Sequence, residues 1–157
     1  MLAFVATDAA VEQGFLQAIL LEVADASFNM MSVDGDTSTN DTLLVMANGM
    51  SGNRPINSSS PDADAFKQAF LAVCTHLARE TARDGEGASK LITVELMGAR
   101  DTADARKAAR TIASSNLVKS AVYGADPNWG RIMMALGRSG AGADERDRPA
   151  PAAPGAQ

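Results

Sequence analysis

The sequence predicts a mixed α/β domain, with α+β as the alternative because strand order cannot be read from one chain. Three observations carry this. Short apolar runs stand at residues 2–6, 43–46 and 91–97; stretches with apolar residues at three- and four-residue spacing lie between and after them; and polar or glycine-rich punctuation separates the two kinds. The chain has 157 residues, 46% hydrophobic and 21% charged, with mean hydropathy −0.06. That composition suits a soluble domain large enough for its own core. Aromatics are only 4%, so aliphatic and Met side chains must fill that core.

Leu2 to Ala6 reads as a buried strand. Asp8 is placed to cap a helix from Ala9 to about Asp25, in which Val11, Phe15, Leu16, Ile19, Leu20 and Val23 fall on one face. Met30 to Val33 is expected to form a second short strand. It leads into Asp34-Gly35-Asp36-Thr37-Ser38-Thr39-Asn40-Asp41, and Leu43 to Met46 follows as a buried strand. Residues 49–60, rich in Gly, Asn and Ser, form a loop. Ser60-Pro61-Asp62 then opens a helix, with a capping hydroxyl, proline at the first helical position and an acid in the first turn. Phe66, Ala69, Phe70, Val73 and Leu77 should line its packed face, and it should end near Ala82, before Gly85.

Leu91 to Met97 alternates and reads as a strand. Asp101 or Thr102 caps the next helix, whose packed face is expected to be Ala105, Ala108, Ala109 and Ile112. Asp126-Pro127-Asn128 makes a turn into a last helix from Trp129 to about Leu136. Three of the six prolines fall in residues 149–154, among Ala, Gly and charge. Residues 1–140 are therefore expected to form the domain and 141–157 a disordered Pro/Ala-rich tail.

Composition also narrows function. Fourteen Lys and Arg against nineteen Asp and Glu give a net charge of −5, which argues against a nucleic-acid or anionic-membrane surface. One cysteine, Cys74, leaves no internal disulfide and no cysteine-rich metal site. No apolar run reaches membrane-span length, and residues 1–8 lack the basic start of a signal peptide, so the expected location is cytoplasmic.

Two polar loops invite chemistry. Asp34, Asp36 and Ser38 match the first positions of a calcium loop, but Thr39 stands where Gly is needed and Val45 where the bidentate Glu belongs. A tight turn with Asp and Ser binding local amides is the competing reading. Arg83-Asp84-Gly85-Glu86-Gly87-Ala88-Ser89-Lys90 sets Glu86 between two glycines, where a carboxylate could meet a substrate amine; a helix end with solvated charges is the alternative. His76 and Cys74, two apart on a helix, point to different sides, and no metal-ligand spacing is present. The only tryptophan sits in Gly124-Ala125-Asp126-Pro127-Asn128-Trp129-Gly130-Arg131, which reads as a packed turn.

These segments also carry a resemblance. Met1-Leu2-Ala3-Phe4 with Thr7-Asp8-Ala9, the Ser32-to-Thr42 stretch, the Arg83-to-Lys90 stretch, Gly98-Ala99-Arg100, Leu117-Val118-Lys119 and the Gly124-to-Arg131 stretch resemble the ornithine acetyltransferase family (bifunctional glutamate N-acetyltransferases). The resemblance runs in order over residues 1 to about 140. It implies an enzyme of arginine biosynthesis that moves an acetyl group from N-acetylornithine to glutamate. Such enzymes cleave themselves into an α and a β chain, and the threonine that opens the β chain becomes the nucleophile. Some members also accept acetyl-CoA as donor; no metal or prosthetic group is implied. Glu86 matches the family's substrate-binding glutamate.

The family's cleavage motif reads Ala-Thr-Met-Leu, so the resemblance puts the nucleophile immediately before Met1 and leaves no catalytic residue within this chain. The expectation is a β-chain portion, incomplete at both ends, inactive alone and completed by the α chain of its own precursor. The alternatives are a non-catalytic partner of an α chain and, less favoured by these motifs, a terminal-nucleophile hydrolase. Thr7 and Thr39 are poor substitute nucleophiles, since neither has a free amine beside it.

Overall fold

The structure, a computed structural model, describes residues 1–142. The tail expected over 141–157 lies outside the described residues from 143 onward. Within the span expected as one domain, the described residues fall into two compact units, Met1–Leu91 and the residues from Ile92 onward.

The first unit is a parallel strand pair backed by helices. Strand β1 (Leu2–Thr7) pairs with β2 (Thr42–Ala47) in the register Leu2 to Thr42 through Thr7 to Ala47. Parallel neighbours need a crossover, and helix α1 (Gln13–Ala26) supplies it. Helix α2 (Ala63–Arg83) lies beside α1. Their facing sides form the core: Ile19, Val23, Phe28, Phe70, Cys74 and Ala78 are buried, with Ala3, Val5, Leu43 and Val45 of the sheet packed against them. Alternation along a strand sends the other residues to the opposite face. There Leu2 (69% exposed), Phe4 (60%), Leu44 (42%) and Met46 (48%) remain uncovered. The runs read from sequence as buried strands are thus covered on one side only, because the helical layer described here packs on a single face.

Helix α1 begins four residues later than the apolar spacing predicts. Asp8 does not cap it, because the backbone on either side of Val11 is committed elsewhere. Asn53 accepts from the Ala10 N–H at 2.8 Å and donates to the Ala10 carbonyl at 3.0 Å. Ile56 N–H donates to Ala10 O at 3.0 Å, and Glu12 N–H donates to Ile56 O at 2.9 Å. This bridge holds Val11 beside Ile56 and delays the helix to Gln13. The strand expected over Met30 to Val33 is absent. Phe28–Met30 instead forms a 3-10 turn that seats Phe28 in the core.

The start of α2 falls close to where the Ser-Pro-Asp signal puts it, but the Ser60 hydroxyl accepts from the Asn57 N–H rather than capping the helix. Its buried side runs through Ala63, Phe70, Cys74 and Ala78; Ala69 and Val73, expected inside, are exposed. Phe66 and Leu77 sit at the margin of that face and pack on the core.

In the second unit, Leu91 to Met97 keeps its alternation, with Ile92, Val94 and Leu96 half-buried, but it forms no ladder among the described residues. The expected strand is therefore missing: alternation reports which side is covered, whereas a strand also needs a backbone partner. Three helices follow, α3 (Thr102–Ala113), α4 (Asn116–Tyr123) and α5 (Trp129–Gly137), around Ile112, Val118 and Ala135. Each is capped by a side chain accepting from the amide three residues on: Asp101 from Asp104, Ser115 from Val118 and Asn128 from Arg131. Ala108 and Ile112 are buried as expected, while Ala105 and Ala109 are only half-buried and the polar Asp104 joins the buried face.

Candidate functional site

Because β1 and β2 run parallel, their amino ends lie together, and the polar 34–41 loop arrives at that end beside residue 1. Met1 is held through both backbone groups. Its nitrogen donates to Asp41 Oδ1 at 2.6 Å, and its carbonyl accepts from the Thr42 N–H at 3.0 Å. Its side chain packs against the core of the first unit.

The loop that provides Asp41 is braced internally. Asp36 N–H donates to Asp34 Oδ1 at 2.9 Å, Asn40 N–H to Ser38 Oγ at 3.2 Å, and Ser38 N–H to Asp41 Oδ2 at 3.3 Å. The Asp and Ser side chains are thus spent on local amides, as the turn reading predicts, although no helix follows them. Asp34 and Asp36 bring no further acids together: among the described residues, no three His, Cys, Asp or Glu side chains come close enough to hold a metal ion. Asp41 is exposed, yet its carboxyl is held below the usual aspartate range, first by the bond from the Met1 ammonium and then by the Ser38 amide.

Glu86 comes from the end of α2. The helix closes with Asp84 N–H donating to Glu80 O, and a tight turn follows in which Ala88 N–H donates to Gly85 O at 2.9 Å. Gly87 takes a positive φ of 69°, which glycine adopts without strain. Gly85 is needed for another reason. A Cβ there would stand 2.9 Å from Val33 Cγ1, so the Glu86 turn lies directly against the residue preceding the Asp34 loop. The two polar loops singled out from sequence are therefore neighbours. The Glu86 carboxylate is exposed and carries no ion pair among the described residues, so it is open to a cationic ligand.

Of the remaining sequence candidates in this unit, only Thr39 lies at this edge. Thr7 ends β1 at its opposite end, where its Oγ1 accepts from the Ala9 N–H. Thr39 is exposed within the loop. Cys74 is fully buried, and that burial pushes its thiol pKa up, which suppresses the reactive thiolate. His76 faces solvent, two residues along the helix from Cys74 and on a different side, as the spacing requires.

In the second unit the singled-out motifs hold helices in place. Arg100 pairs with Asp104 at 2.8 Å, and Arg131 Nη1 donates to the Leu117 carbonyl at 2.9 Å. The segment around Trp129 is not the packed turn expected. Trp129 is 75% exposed, and Ala125 takes a positive φ of 53°. Rigidity there comes from backbone bonds, Asp126 N–H to Ala121 O and Asn128 N–H to Asp126 O, both at 2.8 Å, rather than from burial of the indole.

Two residues escaped the sequence reading. Asp41 was one acid among several until the parallel register set it opposite Met1. Asp104 gave no apolar signal on a helix face otherwise read from alanines.

Residues 1–148 match the family model of the ArgJ family. Similar curated proteins include the arginine biosynthesis bifunctional protein ArgJ of Symbiobacterium thermophilum, 59% identical over 141 residues, which cover 90% of this chain and 35% of that protein. The ArgJ of Bacillus subtilis is 55% identical over 141 residues, with the same coverage of 90% and 35%. The chain thus spans about a third of the length of the curated relatives it matches. A crystal structure of the arginine biosynthesis bifunctional protein ArgJ of Bacillus halodurans superposes with a TM-score of 0.89 at 48% identity, covering 92% of this chain and 68% of that one.

Proposed function

The chain belongs to the ArgJ family, and from that premise we propose that it forms the main part of the threonine-bearing β chain of a glutamate N-acetyltransferase acting in arginine biosynthesis. In this reading the nucleophile is a threonine immediately upstream of Met1, freed when a precursor cleaves itself. Its hydroxyl attacks the acetyl carbonyl of N-acetylornithine and the amide C–N bond breaks. Ornithine leaves with the proton carried from the hydroxyl by the threonine's own α-amine. The α-amine of glutamate then attacks the threonyl ester, the C–O bond breaks, and the hydroxyl regains its proton. No metal or prosthetic group takes part, and acetyl-CoA enters only as an alternative acetyl donor.

The observation that supports this reading is the placement of residue 1. Its backbone is fixed on both sides by Asp41 and Thr42, at the edge where the family-like loop stands. Glu86 suits the ammonium that N-acetylornithine keeps on its side chain, since its α-amine is acylated. The uncovered apolar sheet face formed by Leu2, Phe4, Leu44 and Met46 supports a further part of the proposal, assembly with the α chain of the same precursor into a hetero-oligomer. The proposal includes a cytoplasmic location for the assembled enzyme.

The test is transfer of labelled acetyl from N-acetylornithine to glutamate. The 157-residue chain is compared with a polypeptide carrying the α segment and the Ala-Thr junction ahead of Met1. Transfer by the longer polypeptide alone, with the label trapped on that threonine, is the expected result. Transfer by the 157-residue chain alone, or by neither, overturns the reading. In the active form, Glu86→Gln should raise KM for N-acetylornithine by about 10- to 100-fold, the worth of one charge-assisted contact, with a smaller effect on kcat.

A further inference from the structure

We propose that Asp41 is a positioning residue of the acetyl-transfer site: its carboxylate anchors the backbone nitrogen of Met1 and so sets the direction of the nucleophilic threonine joined to it. This rests on the acetyl-threonine reading above and gives a task to the 34–41 loop, which that reading leaves without one.

The geometry is specific to the backbone of residue 1. Asp41 takes its nitrogen at 2.6 Å, and the next residue, Thr42, donates to its carbonyl at 3.0 Å. Two consecutive residues thus hold both backbone polar groups of residue 1, while the Met1 side chain packs against the core. Asp41 is itself held. Its Oδ2 accepts from the Ser38 N–H at 3.3 Å, and its own N–H donates to the Ser38 carbonyl at 3.2 Å. The acceptor oxygen is therefore aimed before residue 1 arrives.

A threonine joined ahead of Met1 turns the ammonium into a peptide N–H. That leaves one donor on the same nitrogen, still able to meet Oδ1, and self-cleavage before the threonine leaves this peptide bond intact. Register then dictates what the anchor does. Leu2 lies opposite Thr42, so one step back sets Met1 opposite Asp41, and the upstream residue falls beside Asn40. Strand alternation puts that residue's side chain on the face of Leu2, away from the helices that cover Ala3 and Val5. A rotation about the anchored nitrogen would swing the hydroxyl off this line. Misplacement of a reacting group by about 1 Å costs on the order of 100-fold in rate.

A carboxylate that only closed its own loop would alter stability and leave the kinetics alone, so the test separates the two. Asp41→Ala and Asp41→Asn are made in the polypeptide carrying the upstream α segment, with rates counted per cleaved chain by mass spectrometry. Asp41→Ala should lower kcat by about 100-fold while KM for N-acetylornithine stays within about threefold, because orientation and not ground-state binding is lost. Asp41→Asn keeps an acceptor oxygen and should recover most of the rate. Hydrogen exchange of the Met1 amide, which needs no activity, should accelerate in the alanine variant and stay slow in the asparagine variant. Unchanged exchange in Asp41→Ala overturns the anchor. Exchange that accelerates with kcat intact, or with only KM raised, overturns the positioning role. An Asp41-dependent protection in a wild-type polypeptide that transfers no acetyl overturns the acetyl-threonine reading, and the role assigned to Asp41 falls with it.

Discussion

Replacing Phe70 by alanine tests whether the core of the first unit is where the structure puts it, and Phe4 supplies an internal control of the same residue type. Phe70 is 5% exposed between α1 and α2, whereas Phe4 is 60% exposed on the outer face of the sheet. A phenylalanine buries about 200 Å² when fully covered, so Phe70 contributes roughly 190 Å² and Phe4 roughly 80 Å². At about 25 cal/mol per Å² these areas correspond to about 5 and about 2 kcal/mol. A denatured chain that already hides part of its surface lowers them to about 3–4 and about 1–2 kcal/mol. The larger figure matches the usual cost of about 3–5 kcal/mol for Phe→Ala in a core, and it is a large share of the roughly 5–15 kcal/mol that holds a domain together. Urea unfolding followed by far-UV circular dichroism reads both variants at constant slope. If Phe4→Ala costs as much as Phe70→Ala, the outer face of the sheet is a core face in solution, and the one-sided packing described here is wrong.

Three further outcomes follow from particular contacts. Gly85→Ala drives a Cβ to within 2.9 Å of Val33 Cγ1 and should cost about 1–2 kcal/mol. Adding Val33→Ala should recover part of that loss in a double-mutant cycle, and additive costs would show that the two loops do not touch. Asp104 is buried, pairs with Arg100 at 2.8 Å and accepts from the Gly142 N–H at 3.3 Å. Arg100 and Gly142 are both exposed, so water replaces much of what Asp104→Ala removes, and the loss in urea unfolding should be about 0.5–1.5 kcal/mol, with Asp104→Asn milder. Asp41 and Asp101 both have carboxyl pKa values held below the ordinary range, Asp41 first by the Met1 ammonium and Asp101 first by the Asp104 amide. Folding then favours the ionised forms. Their contribution is complete above the unfolded value near pH 4 and is lost as the pH falls through the lower folded values. Thermal unfolding should therefore be insensitive to these two groups from neutral pH to about pH 5 and weaken below about pH 4; Asp101→Asn should flatten part of that acid limb.

Where the controlling interaction was local, the sequence alone was enough. The apolar runs located both strands, the Ser-Pro-Asp start brought α2 within a few residues of its true beginning, Asp101 announced a helix cap through its side-chain chemistry, and Asp126-Pro127-Asn128 marked the turn into the last helix. Helix α4 carried the same kind of signal in Ser115, three residues before Val118, and could have been found by it. Misreadings cluster where a distant partner decided. The late start of α1 follows from Asn53 and Ile56, some forty residues away in sequence, capturing the backbone around Val11. Leu91 to Met97 shows the exposure pattern of a strand but finds no ladder partner among the described residues.

The same division holds for the candidate site. Glu86 stood out in sequence because a carboxylate between two glycines is a local arrangement, and the order of the motifs was enough to suggest the family. That the Glu86 turn lies against Val33, and that Asp41 meets the backbone of Met1, depends on contacts between segments roughly forty to fifty residues apart in sequence. Residue types and their spacing determined which elements form and which side chains are chemically able. Only the parallel pairing of β1 with β2 decided which of those side chains meet, because register is a long-range choice made by packing and backbone hydrogen bonds and leaves no mark on either strand taken alone.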